Sequence, residues 1–216
     1  TYAKMFLTLW NIYKFHADYA ALDGLDPEAT TVEVGDRPNL DRWILSRLAT
    51  TAEGYHNDFV SWNFHKACRD LENFVVNDLS NWYVRRSRRR LWDDAESTDK
   101  LSCQHTLHEV LTTVCKLMAP VSPFMVDVIH RNLTGDTVHQ AAWPLGTPGG
   151  LDGATADAWD KKAAAATAQL PPKDERLETS MAVVRELAEV GRRIRIDAGR
   201  RQRLPCAQGW IVAGPD

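Results

Sequence analysis

From Phe64 to Tyr83 an apolar side chain returns every three or four positions: Phe64, Ala67, Cys68, Leu71, Phe74, Val75, Leu79, Trp82 and Tyr83. That period matches the turn of an α-helix and not the two-residue period of a strand. It predicts one amphipathic helix of about five turns whose apolar stripe must be covered by other elements. Ser61 is a candidate N-cap.

The same period recurs on both sides. Met5, Phe6, Leu9, Ile12, Tyr13 and Tyr19 predict a first helix that stops near Leu22-Asp23-Gly24, with Pro27 beyond. A polar loop runs to Asn39, and Leu40, Trp43, Ile44, Leu48 and Tyr55 predict the second helix. A fourth is expected over about 99–119, with Leu107, Val110, Leu111, Val114, Leu117 and Met118 inward. Pro120 ends it, and Ser122-Pro123 offers an N-cap and an N1 proline to a fifth helix carrying Phe124, Val128, Ile129 and Leu133. Residues 144–156 are rich in Gly, Pro, Asp and Thr and read as linker. Residues 157–170 are alanine-rich and suit a short surface helix, broken by Pro171-Pro172. Met181, Val184, Leu187, Val190 and Ile194 predict a returning helix over about 178–198, closed by Gly199. Trp210-Ile211-Val212 has strand character and reads as the start of a further domain. The expected fold class is therefore all-α: a helical bundle over 1–144, a linker or insert over 145–177, a returning helix over 178–205 and a short strand-like tail over 206–216.

Several function classes drop out. No apolar run approaches the ~20 residues that span a bilayer, and the first residues lack a signal-peptide layout. Cys68, Cys103, Cys115 and Cys206 are scattered without a CxxC pair, which suggests reduced thiols and a cytoplasmic setting. His105 and His108, and again Asp127 and His130, are three apart, but facing Glu-x-x-His pairs are missing, so no metal site is assigned. No G-x-S-x-G, phosphate-binding loop or H-E-x-x-H is present, so no catalytic residue is assigned.

Charge is unevenly distributed. The net charge is −3, yet RRSRRR at 85–90 and RRIRIDAGRRQR at 192–203 hold 11 of the 26 basic residues. Local field decides whether a surface attracts phosphate. A basic run at a helix C-terminus also suits the macrodipole, so each cluster reads equally as plain solvated surface. Five guanidiniums in six residues repel one another unless anions come from outside, and Trp82, Tyr83 and Trp92 beside them offer faces for unpaired bases. Trp82 and Tyr83 also continue the apolar stripe, which argues that at least one is core.

Longer strings add a resemblance. RPNLDRWILSRL at 37–48 and DLSNWYVRRSRRRLW at 78–92 resemble the anticodon-binding bundle of class I isoleucyl-tRNA synthetases. KMFLTLWNIYKF at 4–15, LMAPVSPFMVDVIHRNL at 117–133, TVHQAAWP at 137–144 and VRELAEVGRRIRIDAGRRQRLP at 184–205 are similar to successive segments of it. DRW, LAP-x-x-PF and WP are shared with valyl and leucyl enzymes, whereas SNWYVRRSRRR points to isoleucine. Two departures stand out: Gln202 is followed by Arg203 rather than proline, and the 146–173 insert is long and alanine-rich.

The resemblance implies a class Ia-type bundle that binds the anticodon stem-loop of isoleucine tRNA and works with the remainder of a synthetase chain. The parent enzyme would use ATP and magnesium; no string for either is present here, so this piece is expected to bind RNA without catalysis. Candidate RNA-binding residues are Asn81, Trp82, Tyr83, Arg85, Arg86, Arg88, Arg89, Arg90, Trp92, Arg192, Arg193, Arg195, Arg200 and Arg201. The run at 85–90 is expected to supply affinity more than fold stability. A valyl or leucyl relative, or a helical protein-interaction domain with an acidic partner, remains open.

Overall fold

The structure is a computed structural model that describes residues 2–24, 32–92, 97–145, 170–201 and 208. Among these the chain is helical, with no strand. Helix α1 spans Tyr2–Asp23, α2 Asn39–Val60, α3 Phe64–Asn73, α4 Arg85–Trp92, α5 Thr98–Met118, α6 Pro123–Thr134 and α7 Glu175–Asp197. A π-helical segment, Phe74–Val84, joins α3 directly to α4. Single 3-10 turns lie at Val34–Asp36 and Val138–Gln140. No described helix is long and apolar enough to cross a membrane.

The chain divides into two compact units, Thr1–Glu175 and Arg176–Asp216. In the first, α1, α2, the α3–π–α4 rod, α5 and α6 pack around one core. Leu9, Trp43, Ile44, Leu48, Tyr55, Leu71, Phe74, Leu79, Leu107, Val110, Leu111 and Val114 are all buried there, as the periodicity predicts. The expected boundaries near Gly24, Ser122-Pro123 and Gly199 hold. Gly24 and Gly199 take left-handed φ of 61° and 63°, where a side chain would be strained.

The third helix departs most from expectation. It continues past Tyr83 to Trp92 and changes winding on the way. Eight of the eleven residues in the π segment are buried, among them Phe74, Val75, Val76, Trp82, Tyr83 and Val84. An α-helix presents a narrower stripe to a core, and the wider π turn allows adjacent apolar residues to enter together. Its N-cap position is Asn63, not Ser61, because Ser61 already closes α2 through its N–H to the Asn57 carbonyl. Phe64, counted in the stripe, is 41% exposed and packs edge-on to Phe59.

Two further expectations are corrected. On α6 the buried residues are Val126, Ile129 and His130, so of the expected apolar positions Ile129 holds while Phe124, 87% exposed, and Val128 face out. Helix α7 starts at Glu175, the last residue of the first unit, and none of its residues is buried; Val184, Leu187, Val190 and Ile194 are exposed. The alanine-rich segment and Trp210-Ile211-Val212 lie outside the described residues.

Candidate nucleic-acid interface

The α3–π–α4 rod has an inner side that holds the bundle together and an outer side left to solvent. On the inner side Asp41, fully buried at the start of α2, receives both Nη1 and Nη2 of Arg90 at 2.6 and 2.7 Å. The Tyr83 hydroxyl donates to the same carboxylate at 2.7 Å. Arg90 also reaches Asp99 Oδ2 at 2.8 Å and the Asp99 carbonyl at 2.7 Å, tying α4 to α5. A buried carboxylate needs such partners, since an unpaired one costs several kcal/mol. Burial works most strongly against the Arg90 charge, but the hydrogen bonds to Asp41, together with the charge interactions with Cys103, Asp41 and Tyr83, outweigh it and raise its pKa. Burial above all, with Cys103 and Asp41 adding to it, holds the Tyr83 phenol protonated.

Much of the quoted motif residues' polarity serves this scaffold. Arg37 is buried and donates to Thr106 Oγ1 at 3.1 Å and Glu109 Oε1 at 2.7 Å on α5. Arg42 pairs with Asp174, and Ser46 Oγ accepts from the Asp174 N–H. Arg47 pairs with Asp78 on the π segment at 3.2 Å.

The outer side carries the rest of the basic run. Arg85, Arg86, Arg88 and Arg89 are exposed, and Ser87 between them is buried. The Arg86 guanidinium stacks over the Trp82 ring, 3.1 Å from its centroid, and donates to the Trp82 carbonyl. Arg88 sits 5.9 Å above the Phe15 ring of α1. Arg85 and Arg89 have no side-chain partner among the described residues. Trp92, at the end of α4, is 56% exposed.

The structure therefore sorts the candidates. Arg85, Arg86, Arg88, Arg89, Asn81 and Trp92 share the outer side of the rod. Tyr83 and Arg90 are instead held in the network around Asp41. Trp82 is buried at 7% exposure with Arg86 over it, so it cannot stack on a base as it stands. Of the second cluster, Arg192, Arg193, Arg200 and Arg201 are exposed and Arg195 is half-buried, all in the second unit.

Two outer residues escaped the sequence reading. Asn73 and Asn77 lie at steps of four from Asn81, and all three are exposed. Asn77 Nδ2 donates to Asn73 Oδ1 at 2.5 Å, and Asn81 Nδ2 to Asn77 Oδ1 at 3.4 Å. The four-residue spacing was the available signal.

Of the residues that raised a metal question, His130 through Nδ1 and Asp127 have partners of their own. His130 Nδ1 contacts the Asp136 carbonyl at 2.8 Å. Asp127 accepts from Thr137 Oγ1, Arg131 Nε and the Val138 N–H, which hold its carboxyl down at about 2. No three His, Cys, Asp or Glu side chains converge on a metal position among the described residues.

Comparison with known proteins places this geometry. The family model described as the anticodon-binding domain of tRNA ligase matches residues 41–208, most of the chain. The isoleucine–tRNA ligase of Methanothrix thermoacetophila is 35% identical over 218 residues, covering 97% of this chain and 19% of that protein. That of Streptomyces coelicolor is 37% identical over 214 residues, covering 99% and 18%. That of Porphyromonas gingivalis is 46% identical over 143 residues, covering 65% and 13%. The chain thus spans less than a fifth of the length of these curated relatives.

Proposed function

The chain belongs to the family of anticodon-binding domains of tRNA ligases, and from that premise we propose that it is the tRNA-binding helical module of an isoleucine–tRNA ligase. Its partner is the anticodon stem-loop of isoleucine tRNA. The remainder of the synthetase chain supplies the chemistry, with ATP and magnesium, in the cytoplasm. The observation that carries the reading is the separation of the arginine run into one half-buried scaffold residue, Arg90, and an exposed guanidinium face on the same helix. Arginine forks suit phosphate, and Trp92 beside them suits an unpaired base. The names of the relatives favour isoleucine over valine or leucine.

The test is a titration of the 216-residue chain with transcripts of isoleucine, valine and leucine tRNA, and of isoleucine tRNA with its anticodon replaced. Tightest binding to the first, weakened by anticodon replacement, is expected. Equal affinity for all four would contradict the isoleucine assignment. Binding to polyglutamate in preference to any tRNA would favour a protein-interaction domain instead.

A further inference from the structure

Asn73, Asn77, Asn81, Arg85 and Arg89 form one row at four-residue steps along the outer side of the rod. The first three members are within side-chain reach of one another, as the contacts Asn77–Asn73 and Asn81–Asn77 show. The asparagines are an unusual choice there. Asparagine is a poorer helix former than alanine, lysine or glutamate, and these three face solvent with no core to fill. The hydrogen bonds between them at i,i+4 offset only part of the lost helix propensity, which points to their chemistry.

The hydrogen bonds give the row a direction. Asn77 points its amide nitrogen at Asn73 and its oxygen at the Asn81 amide nitrogen. The Asn81–Asn77 contact is long at 3.4 Å, and it favours one orientation of the Asn81 carboxamide. Its oxygen and one N–H stay open, an acceptor beside a donor. Adenine presents the complementary pair, an exocyclic amino donor beside a ring-nitrogen acceptor. Guanine presents the reverse on its pairing edge, which a free carboxamide matches by flipping and a fixed one does not. Arg85 and Arg89, one and two steps on, are exposed and have no side-chain partner among the described residues.

We propose that Asn81 reads an unpaired adenine in the bound RNA loop, with Asn77 as the positioning residue that sets its polarity and Arg85 and Arg89 holding the adjoining phosphates. This rests on the tRNA-binding reading above. The test uses isoleucine tRNA transcripts in which each unpaired adenine of the anticodon loop is changed in turn to guanine. With the unmodified chain, one such change weakens binding roughly tenfold to a hundredfold. Asn81→Ala abolishes that preference. Asn77→Ala also abolishes it, with affinity for the adenine transcript nearly kept, because Asn81 is then free to flip. Asn77→Asp, which retains an acceptor for Asn81, preserves the preference while lowering overall affinity by its charge. Melting temperature does not fall in the alanine variants. An unmodified chain that binds tRNA but ignores every adenine-to-guanine change overturns the base-reading role and leaves the tRNA-binding reading standing. The same holds if both alanine variants keep the preference. A chain that binds no transcript removes both.

Discussion

Arg89 and Arg90 are neighbours in sequence and face opposite fates. Arg90 lies against a carboxylate with no solvent exposure, and Arg89 lies in water. Arg90→Ala should leave Asp41 charged and buried, costing about 3–5 kcal/mol, measurable as a lower denaturation midpoint. Tyr83→Phe, which removes the other donor to Asp41, should cost about 1–3 kcal/mol. Replacing Arg85 and Arg89 by alanine should move stability by no more than about 0.5 kcal/mol, since neither touches the core. To the expectation that the run supplies affinity more than fold stability, the contacts with Asp41 make Arg90 the exception. Sequence spacing could not separate Arg90 from Arg89, because the separating contact comes from Asp41, 49 positions earlier.

At the scale of elements, local pattern revealed most of the helices because each has an apolar stripe to bury and a recognisable stop. The change of winding after Asn73 was not legible. A helical stripe and a π segment both place apolar residues three and four apart, and only the breadth of the buried side distinguishes them. The α7 stripe misled for a related reason: periodicity shows that a face is apolar, not that anything covers it. The α1–α5–α6 contact carries a consequence of its own. His16 is buried on α1, its ring centroid 6.0 Å from that of His108 on α5. Burial, then His108 and His105, depress its pKa from 6.5 to about 4. His108 is lowered too, by burial and by His105 and His130, with Glu109 opposing. The unfolded chain therefore takes up protons first as pH falls below 6.5. Stability should be full above that value and decline toward pH 4, by up to about 3 kcal/mol from His16 alone. Denaturant midpoints at neutral and acid pH check this, and His16→Gln should flatten the difference.

The whole molecule is weakly acidic, with a net charge of −3, and still offers a polyanion one strongly cationic face. The acidic residues near that face are partly spent inside: Asp41 and Asp99 on Arg90, Asp78 on Arg47. Association should accordingly be driven by phosphate contact at the outer side of the rod and be sensitive to salt. The most direct test titrates isoleucine tRNA with the unmodified chain and with the Arg85→Ala/Arg88→Ala/Arg89→Ala variant at several salt concentrations. Three lost phosphate contacts should reduce the slope of log affinity against log salt by about 2, at ~0.7 per contact. Affinity should fall for every tRNA, with melting temperature held. An unchanged slope and affinity in the variant would contradict the account and turn attention to Arg192, Arg193, Arg200 and Arg201.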